Sequence, residues 1–418
     1  MAGRRAELRR LSTIVGVAQI FWLASLLPGT AQESNRHSLA GEAAAEDRAG
    51  AELDSTRWNW RAGPSRWAFG TELGFEVNDN IGFVPDDPAL DVIVRPQVDA
   101  RMVLPVSDRN RLNFTFSAGY SQYFTHPALN RFYIVPGSAL LFDFYMSDLW
   151  INIHERCSLT QSAYQDPTLS QAGDYSQLQN IVGVNVTWDL SKVTARLGSD
   201  HSDYVPVTGR GGVSSGYSDM FSCSVGYRAS SVVSLGLEGG GGWISYKDTP
   251  NADATDFNAG AFAEVKPTGN MSLSLSAGYT SYRPEVVSTA QQEFNGAYTR
   301  VALNHRLNRF VECSASAGRS VSFGFFAGTV EMWSARCEAR WHLFQKLGVT
   351  TGCDFEHGSE LLSGNASFER VGPGITFERS LTRKLSSLLR YQYYRRRSDT
   401  PGGDYDLNIV TLNFVYQL

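Results

Sequence analysis

Apolar and polar side chains alternate along most of this chain with a period of two. Leu112, Phe114, Phe116, Ala118 and Tyr120 are interleaved with Asn113, Thr115, Ser117 and Gly119. Met271, Leu273, Leu275, Ala277 and Tyr279 are interleaved with Ser272, Ser274, Ser276 and Gly278. Val182, Val184, Val186 and Trp188 alternate with Asn185 and Thr187 in the same way. Successive side chains of an extended strand point to opposite faces, so the pattern predicts strands with one apolar and one polar face. The runs exceed about ten residues, whereas soluble strands usually have ~5–6. A tilted strand that crosses a bilayer needs roughly 9–11.

The connections alternate as well. Tight turns are expected near Ser107-Asp108, Ser147-Asp148, Ser191-Lys192, Ser230-Ser231, Thr268-Gly269, Asn308-Arg309, Gln345-Lys346 and Leu381-Thr382. Longer connections fall near 79–89, 125–130, 163–176, 205–215, 247–254, 283–293, 324–329, 358–365 and 398–403. Short turns at one end and long loops at the other are what a membrane barrel requires. The predicted fold is therefore all-β: a single transmembrane antiparallel β-barrel of about eighteen strands, with sixteen as the alternative, and both termini periplasmic.

Two groups of aromatics are read as interfacial girdles. Tyr123, Tyr204, Trp243, Tyr246, Tyr282, Phe355 and Tyr393 stand near the long-loop ends, and Trp188, Tyr227, Trp341, Phe344, Phe377 and Tyr416 near the short-turn ends. Charged residues in phase with the apolar face are few. Glu155, His305, Arg319, Glu331 and Glu369 are placed toward strand ends, where a charge costs about 0–1 kcal/mol instead of ~2–4 at the midplane.

The chain has 418 residues, and its N-terminus has the layout of a secretory signal peptide. Arg4, Arg5, Arg9 and Arg10 precede an apolar run from Leu11 to Leu27, and small residues lead to a cleavage point after Ala31. The alternative is a single anchoring helix, for which the run is near the lower limit of about 17 residues. Three segments result: 1–31 as signal peptide, 32–66 as a flexible periplasmic lead-in rich in Ala, Glu and Arg, and 67–418 as the barrel. Trp58, Trp60 and Trp67 are expected to seat the first strand at the membrane interface, with docking in the lumen as the alternative. A net charge of −5 gives no basic patch of the kind nucleic-acid binders carry. All five cysteines, Cys157, Cys223, Cys313, Cys337 and Cys353, are in phase with the apolar faces. They read as small lipid-facing hydrophobes rather than as a disulfide framework or a metal site.

The segment 407–418 is LNIVTLNFVYQL. Val410, Leu412, Phe414, Tyr416 and Leu418 mark one face, and Asn408, Thr411, Asn413 and Gln417 are read as the polar one. It resembles the closing strand of an outer-membrane β-barrel. A second resemblance lies in Glu76-Val77-Asn78-Asp79-Asn80-Ile81, then Val94-Arg95-Pro96, then Gly119-Tyr120-Ser121-Gln122-Tyr123. This order is similar to that of a family of outer-membrane β-barrel porins from proteobacteria and related phyla, some tied to exopolysaccharide operons. The rest of the chain matches that family in architecture. The resemblance implies a bacterial outer-membrane channel, with small solutes or polysaccharide as cargo. It also implies the bilayer with its lipopolysaccharide, and the barrel-assembly machinery, as partners. It brings no catalytic residues.

Function is then expected on the inward phase. Arg336, Glu338, Arg340 and His342 share that phase on one strand with Ser334, and Glu312, Asp354 and Glu356 stand on its neighbours. Arg196, Arg300, Arg306 and Arg390 share it elsewhere, with Arg228, Glu238, Glu264, Lys266 and Glu378. Two readings follow: a salt-bridged, water-filled wall, or an arginine array that guides anions. No enzyme, cofactor or metal site is read. Asp200-His201 beside Ser199 and Ser202 superficially suggests a triad, but adjacent strand positions face opposite ways. Gly239 to Gly242 lack the Lys-Ser/Thr of a phosphate loop and read as a bend or a point of close packing. Asp79, Asp86, Asp87 and Asp91 lack the spacing of a calcium loop and are read as a solvated acidic loop. The alternative to a channel is a closed structural or adhesive barrel whose outer loops bind a partner or surface polysaccharide.

Overall fold

A computed structural model of the protein describes residues 58–160, 167–170, 173–207, 215–247, 253–286, 293–323, 329–344, 346–360 and 366–418. The segment expected as a signal peptide and most of the expected lead-in lie outside these residues. In chain order the strands are β1 (Trp60–Ala62), β2 (Ser65–Asn78), β3 (Asp91–Pro105), β4 (Arg111–Tyr123), β5 (Arg131–Met146), β6 (Leu149–Thr160) and β7 (Gln177–Asp189). They continue as β8 (Val193–Pro206), β9 (Gly216–Arg228), β10 (Val233–Tyr246), β11 (Ala254–Thr268), β12 (Met271–Pro284) and β13 (Phe294–Arg306). The last six are β14 (Val311–Phe323), β15 (Thr329–Phe344), β16 (Leu347–Glu360), β17 (Ser367–Ser380), β18 (Leu385–Ser398) and β19 (Tyr405–Gln417).

Strands β2 to β19 each pair antiparallel with their sequence neighbours, and β19 pairs with β2 from Ile409↔Asn78 to Gln417↔Gly70. The result is a closed barrel of 18 strands. Closure leaves no sheet edge, which is the condition for a sheet to sit in hydrocarbon. The first barrel strand starts at Ser65, two residues before the position read from the sequence. The additional strand β1 pairs with β2 below the point where β19 ends, Trp60↔Trp67 to Ala62↔Ser65. Asn59 Nδ2 donates to the Leu418 carbonyl at 3.0 Å, so β1 continues the rank that β19 leaves. Trp60 packs on Trp67 and Phe69 with ring centroids 5.9 and 6.2 Å apart, consistent with a seat for the first strand.

The two faces of the cylinder can be told apart by one contact. Tyr298 Oη on β13 donates to Glu238 Oε1 on β10 at 2.7 Å, across the two intervening strands. Side chains three strands apart converge only on the concave side, so this phase faces the lumen. The register then assigns every other strand. The outer face carries Leu73, Phe75, Val98, Phe116, Leu140, Ile153, Val182, Val184, Phe221, Leu237, Tyr391, Val410 and Leu412, all exposed. An apolar belt in contact with solvent on this scale is a surface for lipid. The five cysteines are on this outer phase and all five thiols are free.

The register shifts at a few places, between Val265 and Thr268, between His342 and Phe344, and in β5. In β5 the register shifts between Ile134 and Ser138, where Pro136 has no N–H to give the ladder and Gly137 takes φ +102°. The glycine run from Gly239 to Gly242 lies in unbroken register with both neighbours, so it marks close packing and not a bend.

Three sequence expectations need correction. Tyr123, Tyr204, Tyr246 and Tyr282 are not part of an outer girdle. Their register places them on the inner face, where Tyr123 packs with Ile81 and Ile93, and Tyr246 and Tyr282 with Met220, Ile244 and Phe294. Trp243, Phe355 and Tyr393 do face outward, as do the aromatics at the short-turn ends. Glu155 lies in the middle of β6 and not toward its end, exposed between Leu140 and Val182 on the adjacent strands. Asn408 shares the outer phase of Val410. Its Nδ2 donates to Asp79 Oδ2 at 2.7 Å and it accepts from Tyr391 Oη at 2.7 Å, so a polar side chain is satisfied at the long-loop rim.

Candidate functional site

The lumen is the concave side of the sheet, and the sequence of each strand sets what it presents there. On β15 the alternate residues Ser334, Arg336, Glu338, Arg340 and His342 share the inner phase, because strand geometry returns to the same face every second residue. Arg336 Nε lies 3.3 Å from Asp354 Oδ1 of β16, and its Nη2 lies 3.7 Å from Glu338 Oε2. Arg340 Nη2 lies 3.8 Å from Glu338 Oε1. Glu338 therefore stands between two arginines. The side chain of Arg336 is 38% exposed and that of Arg340 17%, so the first keeps substantial contact with the lumen and the second is packed into the wall.

The other arginines are dispersed. Arg306 Nε pairs with Glu312 Oε1 at 2.9 Å near the short-turn end, with both side chains well exposed. Arg390 Nε lies 3.4 Å from Thr376 Oγ1. Arg300 stands opposite Ser276 and Gly318, and Arg196 opposite Thr187 and Ser224. His342 is half-buried opposite Gly348. The eight residues singled out from the sequence thus share one face, but they are spread from β8 to β18. Arg336, Glu338 and Arg340 form a contiguous group.

The opposite wall was not recognised from the sequence. Asp143 of β5 accepts from Asn113 Nδ2 at 2.8 Å, Asn152 Nδ2 at 2.8 Å, Trp150 Nε1 at 3.2 Å and Arg111 Nε at 3.4 Å. His154, 1% exposed, faces Asn152 Oδ1 through Nδ1 at 3.2 Å and Asp200 Oδ1 through Nε2 at 2.9 Å. The contact with Asp200 crosses β7 at Gly183, where an added Cβ would stand 2.6 Å from His154 Nε2. Asp200 therefore works on the inner face, while His201 turns outward to Asp219 at 2.7 Å, and no triad can form from them. Arg95 and Glu76, 2.6 Å apart, belong to the same side of the barrel. The signal for them was parity: Arg95 and Glu76 lie in phase with Gln97 and Gly74.

The long-loop mouth is partly filled. Residues 167–170 and 173–176 belong to the long connection after β6, and this described part turns inward across the mouth. Leu169, 1% exposed, packs with Tyr175, Phe83, Tyr394, Tyr405, Leu407 and Ile409. The last four are inner-face residues of β18 and β19, on the far side of the β2 seam. Arg396 Nε donates to the Pro167 carbonyl at 3.2 Å, and Arg131 contacts Asp174. Burial of apolar area drives this inward fold, since the mouth presents Tyr394, Tyr405, Leu407 and Ile409 to it.

Asp91 is likewise not a solvated loop acid. It is fully buried and accepts from the backbone N–H groups of Phe124, Thr125 and His126 at 3.0, 3.0 and 2.9 Å. It organises the turn after β4. No group of three or more metal-ligating side chains occurs among the described residues.

Comparison with solved structures places this geometry. The crystal structure of the outer membrane protein OpdK from Pseudomonas aeruginosa superposes with a TM-score of 0.50 at 12% identity, covering 85% of this chain and 98% of that one. A BenF-like porin from Pseudomonas fluorescens Pf-5 gives a TM-score of 0.50 at 10% identity, covering 85% and 99%. No protein-family model matches the chain, and no curated protein does. At these identities the likeness is one of fold: the closed antiparallel barrel is the one those porins have.

Proposed function

We propose that the chain is a passive channel of a bacterial outer membrane, a route for diffusion or export of small solutes or saccharides without cofactor or catalysis. The observation that carries this reading is the pairing of an exposed apolar belt outside with partly exposed arginines and carboxylates inside the same closed 18-strand sheet. Barrels of 16–18 strands are wide enough to leave an aqueous lumen. The porin fold of the two superposed proteins supports it. In this reading the short turns and both termini face the periplasm. The lipid belt meets the bilayer and its lipopolysaccharide, and the barrel-assembly machinery inserts the chain. Arg196, Arg300, Arg306, Arg336, Glu338, Arg340, His342 and Arg390 line the path. Planar-bilayer recording on folded protein tests it: stepwise conductance is expected.

A second reading has its own support. The inward segment around Leu169 occupies part of the long-loop mouth. A closed structural or adhesive barrel, with loops that bind a partner or surface polysaccharide, would show that filling and no conductance steps.

A further inference from the structure

Several inward aromatics lie flat along the wall over glycines of the preceding strands. Tyr298 crosses Gly278 and Gly260: a Cβ added at Gly278 would stand 2.6 Å from Tyr298 Cε1, and one at Gly260 would collide with Tyr298 Oη. Phe262 lies over Gly236 in the same way. Both rings are only half-buried, so each keeps a face toward the lumen. They occupy neighbouring rows of the register. Tyr298 shares its row with Gly278, Gly260 and Glu238, while Phe262 shares the next with Gly236, Ser276 and Arg300.

Polar groups surround this aromatic strip. Glu238 holds the Tyr298 hydroxyl, and Glu264 follows Phe262 on the inner phase of β11. One row toward the long loops, Asn258 is 4% exposed, and neither amide atom has a hydrogen-bond partner among the described residues. A buried amide without partners is costly and calls for a polar group to complete it.

We infer that the inner wall of β10 to β13 is a binding subsite for one pyranose unit of a neutral saccharide. The rings of Tyr298 and Phe262 form its floor, with Glu238, Asn258 and Glu264 as hydroxyl partners. A pyranose offers both an apolar C–H face and a rim of donors and acceptors. The site offers an aromatic floor, two acceptor carboxylates and an amide that both donates and accepts. An aromatic carboxylate would find the floor, but Arg300 in the Phe262 row and Arg228 in the Glu264 row already stand against Glu238 and Glu264, so the wall offers it no net charge attraction, and it lacks the hydroxyl rim that the polar groups match. This inference rests on the channel reading above.

The test is ion-current recording of the full-length protein with maltotriose added to one chamber and benzoate as comparator. Maltotriose is expected to reduce the current in a saturable way, and benzoate to do so far less. With Tyr298→Ala and Phe262→Ala the half-blocking concentration should rise at least about fivefold, in line with the loss of an aromatic face. Tyr298→Phe keeps the ring and should block like the native protein. Heat-modifiable mobility on gels confirms that each variant is folded. Conductance without saturable block by maltotriose, or equal block in the alanine variants, overturns the subsite. If the folded native protein never conducts, the channel reading fails. The subsite is then judged by calorimetric titration of maltotriose into micellar protein, where heat that is lost with Tyr298→Ala sustains it and no heat overturns it.

Discussion

The two sides of the lumen handle charge differently. On β4 to β8, Asp143 is 5% exposed and takes four donors, and His154 is sealed between Asn152 and Asp200. On β15 and β16, Arg336, Glu338, Arg340 and Asp354 meet at 3.3–3.8 Å, and Arg336 among them keeps substantial water contact. A buried hub stiffens its wall, since low dielectric strengthens each satisfied bond and penalises each lost one. Loose, hydrated pairs contribute little to stability and leave their field in the pore. The same residue types therefore serve as framework on one side and as the proposed filter on the other.

The comparison can be broken most severely at the hub. Asp143→Ala would leave the donors of Asn113, Asn152 and Trp150 without an acceptor, at a cost of about 3 kcal/mol. Urea unfolding in detergent should show it as a clear drop in midpoint. An unchanged midpoint would mean that water reaches the wall and that the two sides are alike.

The filter side should respond in the opposite sense. Arg336→Ala with Arg340→Ala is expected to leave the unfolding midpoint in place and to move the reversal potential in a salt gradient toward cation preference. The shift should be larger in dilute salt, where screening is weaker. No movement, with the variant folded, would assign these arginines to wall structure. A finer probe is Glu338→Gln, which removes the charge standing between them and should raise anion preference. The smallest effect is expected for Arg306→Ala. Its pair with Glu312 is exposed, so stability should change by no more than about 0.5 kcal/mol.

Much of this was legible in the chain because period two fixes both strand and face. The alternation of Leu112 to Tyr120 and of Met271 to Tyr279 gave strands in the right places, and parity put Arg336, Glu338, Arg340 and His342 on one face. The inner tyrosines were missed because aromatics near strand ends were taken as girdle residues without regard to phase. Tyr123 is in phase with Ser121 and Gly119, and that parity already pointed inward. The fold of residues 167–170 and 173–176 was not legible, since their partners Tyr394, Tyr405 and Leu407 lie over two hundred positions away. The Asp143 hub escaped for a similar reason. Asn113, Asp143 and Asn152 come together only once three strands are in register.

The seam between β2 and β19 has a consequence for the order in which the molecule is built. Asn408 and Asp79 are joined across 329 positions, and Asn59 reaches Leu418 across 359. Every other strand pairing is between neighbours in the chain and can form locally, hairpin by hairpin. The seam alone demands that the earliest strand wait, with its edge unsatisfied, for the latest. Loop closure over such a span is slow. Assembly should therefore pass through an open, curved sheet whose two edges are β2 and β19, and the rate at which those edges meet should set the pace of insertion.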